Sequence, residues 1–317
     1  MRNGEIHIKK GHGLLCQGPV KRYAFIKANV KAYPIVVLCE MMEISRSAYY
    51  AWCKRGPSEG DKSNAQLDSD IRRIYKTHKG RYGSPRIQDE LADEGKSCSV
   101  ARVARRMKRM GLKAIQTKAF KVTTNSNHDK PVYPDLLERD TSTTGINQKW
   151  VSDISYIRTT EGWLYLAVIM DLYSRAVIGW SMQSRMTAQL VCDALTMALF
   201  RRGFPKGVIV HSDRGSQYCS KAYRKLIRNH KLFGSMGNKG CCYDNAVIES
   251  FFHSLKVEAI YPESVKNRNL TRNQLFEYME VYYNQQRKHS AIGFQTPKQF
   301  ENQLMNNQAL LSACPIN

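Results

Sequence analysis

The chain has 317 residues and carries 49 Lys and Arg against 27 Asp and Glu, a net charge of +22. Its 42% hydrophobic content excludes a disordered chain, and the longest apolar run, WLYLAVIM at 163–170, is far short of the roughly 20 residues that span a bilayer. The charge excess favours a polyanionic partner, nucleic acid before an anionic membrane.

Residues 1–30 carry no assignable pattern. MRNGEIHIKKGHG lacks the apolar core of a signal peptide, so a soluble, cytoplasmic, nucleoid-associated protein is expected. The nine cysteines form no C-x-x-C pair and follow no paired histidine spacing. They read as reduced thiols rather than as disulfides or a zinc module. Residues 1–125 hold 26 basic and 11 acidic residues, so +15 of the net charge lies there.

YPIVVLCEMMEISRSAYYAW (33–52) predicts two short helices around a turn near Glu43–Ser45, with Ser45 as N-cap of the second and Arg46 on its outward first turn. A helix-turn-helix presents the N-terminal side chains of its second helix to base edges in this layout. A plain helical hairpin has the same pattern. A helix over 63–78 follows. SPRIQDEL then opens another, with Ser84 as cap and Pro85 at the first helical position. The helix that begins near Ser99 is expected to bury Val100, Val103, Met107 and Met110 and to present Arg102, Arg105, Arg106 and Arg109 on its other faces. Two helical pairs in so basic a segment point to DNA contact. Residues 31–114 are therefore read as a helical DNA-binding region, and the polar, Thr-, Asn- and Pro-rich stretch 115–147 as a linker.

After the linker the period changes. WVSDISYIRT (150–159), GWLYLAVIMDLYS (162–174) and RAVIGWSM (175–182) predict three meandering strands. A helix over 187–202, a strand over 207–213, a helix near 220–230, a short strand in LFGSMG and a helix within 239–256 complete an α/β domain over 148–305, with a tail at 306–317. The order is that of an RNase H-like domain. A doubly wound nucleotide-binding fold is the rival, but no glycine-rich phosphate loop follows any strand.

Three acids stand out in this frame. Asp153 lies inside the first strand, where an ionised carboxylate is costly without a partner or a metal. Asp213, in HSDRGSQY, ends the fourth strand, and ligands gather at the carboxyl ends of strands in open α/β folds. Glu249 lies 36 positions further on, beside the apolar stripe of Ile248, Phe251, Phe252, Leu255 and Ala259 on the last of these helices. Converged, the three form an oxygen-only site suited to a pair of Mg2+ or Mn2+ ions for phosphodiester chemistry without a protein nucleophile. Lys256, two turns after Glu249, is placed to hold a DNA phosphate beside them. Asp171 reads more simply as a hairpin turn residue, Asp244 as a helix N-cap, and His211 as a structural histidine at a strand end.

WVSDISYI, LYLAVIMDLYSRAVIGW, HSDRGSQY, SMGNKGCCYDNAVIESFFHSLK and YYNQQRKHSAIGFQTP resemble the catalytic half of bacterial insertion-sequence transposases of the IS-three (IS3) family. IVVLCEMMEISRSAYYAW and HKGRYGSPRIQDEL resemble that family's helix-turn-helix segments. The resemblance covers about residues 33–301. It implies an integrase core, a mixed five-stranded sheet with flanking helices, behind an all-α region. It also implies a DDE triad at Asp153, Asp213 and Glu249 with Lys256 as the trailing basic residue, and a DNA-touching loop at Gly237–Gly240 that includes Lys239. The activity implied is metal-dependent cleavage at the element's terminal inverted repeats and transfer of a 3′-hydroxyl into target DNA. Pairing two element ends implies an oligomer on DNA, and the absence of leucine heptads, which the family's fused product carries, implies a partner from an upstream reading frame. A non-catalytic DNA-binding accessory fragment and a general nuclease are the alternative functions.

Overall fold

The computed structural model describes residues 18–56, 58–115, 131–138, 140–237 and 246–313, without side chains beyond 306. Two compact units divide at Arg73/Ile74. In the first, helices α1 (Pro19–Asn29), α2 (Ile35–Met41) and α3 (Arg46–Lys54) pack around Ile26, Leu38, Cys39, Met42 and Tyr49. Tyr23 stacks on Trp52 at 5.4 Å. The turn between α2 and α3 runs through Glu43 at φ 52°, and Ser45 caps α3 by accepting the Ala48 N–H at 3.2 Å. The expected cap is therefore in place. Helix α4 (Glu59–Thr77) crosses the division between the units.

The second unit begins with a helical pair, α5 (Ser84–Asp93) and α6 (Val100–Arg109). Two expectations are corrected here. Gly83, extended at φ −88° and ψ 179°, occupies the cap position, so Ser84 is already helical. Val100 is 40% exposed, whereas Val103 and Met107 are buried. As the first residue of α6, Val100 lies outside the part of the stripe that packs, and Ser99 caps the helix through the Arg102 N–H.

The sheet is built from β1 (Lys149–Thr159), β2 (Gly162–Asp171), β3 (Val177–Gln183), β4 (Ile209–Ser212) and β5 (Phe233–Met236), in the order β3-β2-β1-β4-β5. The first three strands form an antiparallel meander, and β4 and β5 join parallel to β1. The mixed five-stranded sheet is the one expected. Helix α7 (Ala188–Arg201) lies so close on β3 that a Cβ at Gly179 would sit 2.3 Å from the Ala194 carbonyl oxygen. Helix α8 (Lys221–Asn229) extends the same core through Tyr223 and Ile227.

Helix α9 (Ala246–Leu255) packs against β1 and buries the whole predicted stripe: Ile248, Phe251, Phe252, Leu255 and, one turn on, Ala259. It runs directly into a π-helical segment, Lys256–Ile260, and α10 (Arg268–Phe276) runs likewise into another at Glu277–Tyr283. Helix α11 (Pro297–Ala313) closes the described chain. Among the described residues no helix is long and apolar enough to cross a membrane.

Candidate active site

The parallel register of β1 on β4 sets Trp150 opposite Val210, Val151 opposite His211 and Ser152 opposite Ser212. One residue further along each strand stands an aspartate. Asp153 therefore lies in β1 one step past the last paired residue, and Asp213 directly follows the end of β4, its neighbour in the sheet. Each is oriented by a backbone donor. The Ile154 N–H reaches Asp153 Oδ1 at 2.7 Å and the Gly215 N–H reaches Asp213 Oδ1 at 2.9 Å. A Cβ at position 215 would lie 2.9 Å from that same Oδ1, so any larger residue there displaces the Asp213 carboxylate.

Burial pushes the Asp153 carboxyl up to about 8, with repulsion from Asp213 next and from Glu249 smaller; the Ile154 N–H and the Lys256 ammonium oppose the rise. Glu249 is exposed at its helix position, and partial desolvation raises its carboxyl as well. Lys256 is 7% exposed, at the start of the first π-helical segment, with its Nζ 5.4 Å from the centre of the Tyr156 ring. Burial lowers its pKa and Asp153 raises it. Beneath the acids, Ser152 Oγ and Tyr218 Oη share a hydrogen bond of 2.9 Å, and burial beside Asp153 and Asp213 holds the phenol well above its ordinary value.

Asp153 thus lies in the electric field of Asp213, Glu249 and Lys256. Asp213 acts on Asp153 more strongly than Glu249 does. Among the described residues no three His, Cys, Asp or Glu side chains are close enough together to hold a metal ion. Asp171 is the turn organiser expected. It is fully buried and accepts the N–H groups of Asn147, Tyr173 and Ser174. His211 is fully buried, with Nδ1 2.9 Å from Ser235 Oγ on β5. Arg46, Arg105 and Arg109 are exposed, and Arg102 and Arg106 are half-buried. Lys239, Asp244 and residues 238–240 of the expected loop lie outside the described residues.

The match to known proteins decides the family. Residues 144–242 and 249–305 match two integrase core domain families, and residues 62–120 an HTH-like domain. The chain is 48% identical over 283 residues to the transposase InsF for insertion sequence IS3A of Escherichia coli K12, covering 89% of this chain and 98% of that one. The chain belongs to the IS3 family of transposases. It is also 42% identical to an uncharacterized 31 kDa protein of insertion element IS600 from Shigella sonnei, over 83% of this chain and 97% of that one. A structure of the simian T-cell lymphotropic virus intasome in complex with PP2A regulatory subunit B56 gamma is similar at TM-score 0.42 and 14% identity, over 73% of this chain and 74% of that one. As an IS3-family transposase the chain is a polynucleotidyl transferase acting on DNA.

Two features escaped the sequence reading. One is the π-helical turn at which Lys256 is buried, since a helical period alone does not mark where the winding changes. The other is a buried pair, Glu258 with Arg287, which are 29 residues apart. Arg287 Nη2 donates to Glu258 Oε1 at 2.7 Å, and Arg287 Nε donates to Oε2 at 2.9 Å. The signal available was Glu258 lying one residue before Ala259 of the buried stripe, where an acid requires a counter-charge.

Proposed function

We propose that Asp153, Asp213 and Glu249 are the carboxylates at which this transposase cuts and joins DNA strands. The observation that carries the reading is the parallel pairing of β1 with β4, which ends one residue before Asp153 and Asp213, with the helix bearing Glu249 packed on β1. The reaction at phosphorus is an in-line displacement. A P–O bond forms to a water oxygen in cleavage, or to a 3′-hydroxyl oxygen in joining, as the bond to the leaving oxygen breaks.

The donor set, by its chemistry though not by the spacing of the three side chains in this structure, suits hard divalent cations. It is all oxygen, and its innermost member is held protonated to about pH 8 by burial and by the facing Asp213, an electrostatic strain that a cation relieves. Asp153 and Asp213 are the residues to hold Mg2+ or Mn2+, joined by Glu249, and such ions supply charge neutralisation at the reacting phosphate. The protein's own part is positional. The Ile154 and Gly215 N–H groups fix one oxygen of each aspartate, and Lys256 offsets the charge of Asp153 from within the fold.

The substrate would be the element's terminal inverted repeats and a target duplex. Holding two ends together calls for a second copy of the chain, and a product of an upstream reading frame is a further partner. The decisive experiment incubates purified protein with end-bearing duplex and Mg2+ or Mn2+ and resolves nicked and joined strands. Asp153→Asn should abolish both products and retain binding. Persistent cleavage in that variant sinks the site, and hydrolysis with no joining favours a plain nuclease. Wild-type binding without cleavage under either ion, with the upstream product supplied, favours the accessory fragment.

A further inference from the structure

A hollow of about 390 Å³ opens on the face of α9 that carries Ser250 and Ser254. Three arginines from distant parts of the chain line it: Arg86 from α5, Arg175 from the turn between β2 and β3, and Arg287, which is accompanied by His289. Neither Asp nor Glu is among the described residues of its wall. Arg287 has its partner in Glu258, which lies outside the wall. Arg86 and Arg175 form no ion pair with any described carboxylate. The Arg86 guanidinium stands 5.5 Å from the Tyr82 ring, and Arg175 Nε is buried without a hydrogen-bond partner. The nearby Asp171 accepts three backbone N–H groups and acts on Arg175 through its field rather than by a hydrogen bond to Nε.

Like charges in a half-buried hollow repel one another and lose hydration, and folding does not assemble them at no cost. Burial lowers the pKa of both Arg86 and Arg175; repulsion from Arg287 adds to it at Arg86 against a smaller pull from Glu258, and Tyr283 and Asp171 oppose it at Arg175. His289 is kept neutral by burial and by the same arginines, so its ring adds no charge to the hollow near neutral pH. The group that resolves such an arrangement is an anion with several acceptor oxygens, because guanidinium forks match phosphate geometry and the flanking Ser250 hydroxyl is free to orient toward it.

We infer that this hollow holds a backbone phosphate of the DNA substrate, gripped by Arg86 and Arg175 while Glu258 keeps Arg287 in place. Ser250 directly follows Glu249 on α9, so a phosphate held here anchors the duplex one helix face away from the acids. The choice of DNA as the source of the phosphate rests on the transposase reading above. The anion site itself does not.

Two measurements separate the claims. Without divalent ions, inorganic pyrophosphate should raise the melting temperature of the wild-type protein relative to NaCl at matched ionic strength. The rise should vanish in the Arg86→Gln/Arg175→Gln double variant, which should itself melt no lower than wild type in NaCl. Binding of labelled duplex in chelator should weaken about tenfold in that variant, and the slope of log K against log salt should fall by about one for each phosphate that is no longer neutralised. Arg86→Lys/Arg175→Lys, which keeps the charge, should retain most of the salt slope while losing much of the pyrophosphate response. A pyrophosphate response that survives the double variant overturns the site. So does a variant that melts lower while binding DNA as tightly as wild type, for its arginines would then be structural. Wild-type protein that answers to pyrophosphate but binds no duplex refutes the transposase reading and leaves the anion site standing.

Discussion

Ser152 on β1 lies directly across from Ser212 on β4, the last pair of a parallel ladder, so Asp153 and Asp213 both follow at the end where that pairing stops. Neither the hydrophobic core nor the strand geometry benefits from two like charges there. The Asp153 carboxyl responds by holding its proton to about pH 8, against an ordinary value of 3.8.

The first prediction is a stability profile. Between pH 4 and 8 the folded chain keeps a proton on Asp153 that the unfolded chain has released, so stability falls as pH rises through this window and levels off above it. Asp153→Asn should flatten that slope and raise the melting temperature at pH 8 in chelator by about 3–6 °C. Mg2+ should stabilise wild type increasingly toward pH 8 and leave the variant unchanged, since binding displaces the proton. Calorimetric scans from pH 5 to 9 with and without Mg2+ check this. A variant that melts with the wild-type pH slope refutes the assignment.

The second concerns Lys256, buried with its ammonium in the field of Asp153. Its charge helps Asp153 ionise, so Lys256→Met should move the acid limb of the cleavage pH profile to higher pH, by up to about one unit. Lys256→Arg should restore the position of that limb even if the rate stays low. If the methionine variant only lowers the rate and leaves the limb in place, Lys256 acts on the DNA rather than on Asp153.

The third tests the platform beneath the site. Gly179→Ala puts a Cβ 2.3 Å from the Ala194 carbonyl oxygen and 2.8 Å from the Ala198 N, both backbone atoms that cannot turn aside. Helix α7 must lift from β3, at a cost of about 1–3 kcal/mol. A lower urea midpoint with unchanged steepness is the expected record. An unchanged midpoint would mean that the packing of α7 on β3 yields easily.

The sequence carried most of this architecture because its signals are local. The three β-branched runs announce β1 to β3, the i, i+3, i+4 stripe from Ile248 announces α9, and Ser45 and Ser99 announce their helices by capping chemistry. The three acids could be named because each falls in or at the end of such an element or beside such a stripe. What the sequence does not carry is register across elements. Nothing in WVSDISYI or HSDRGSQY states that Ser152 faces Ser212, so the register that carries Asp153 and Asp213 to one end of the ladder is a tertiary fact. The helical period run on past Leu255 gives no hint that the winding loosens at Lys256 and buries it. The one-residue shift of the α5 cap from Ser84 to Gly83 reflects an extended glycine serving as well as a serine there.

The last prediction concerns the pair that helps bind the helices behind the sheet. Glu258 and Arg287 are 8% and 5% exposed, joined through Nε and Nη2, with the Tyr278 hydroxyl donating to Glu258 Oε2 at 2.9 Å and Arg81 Nε donating to the Glu258 carbonyl at 3.0 Å. Loss of either charge strands the other in a place that water reaches poorly. Glu258→Gln leaves Arg287 facing Arg86 without its carboxylate, and Arg287→Met leaves a buried acid beside Tyr278. Each single variant should lose about 3–5 kcal/mol. The double variant removes both charges and should recover a large part of that loss, because the desolvation cost disappears with the attraction that offset it. Urea unfolding of the four proteins closes the cycle. Strictly additive losses would show that the two side chains act separately, and that the hydrogen bonds from Tyr278 and Arg81, rather than the ion pair, hold this corner together.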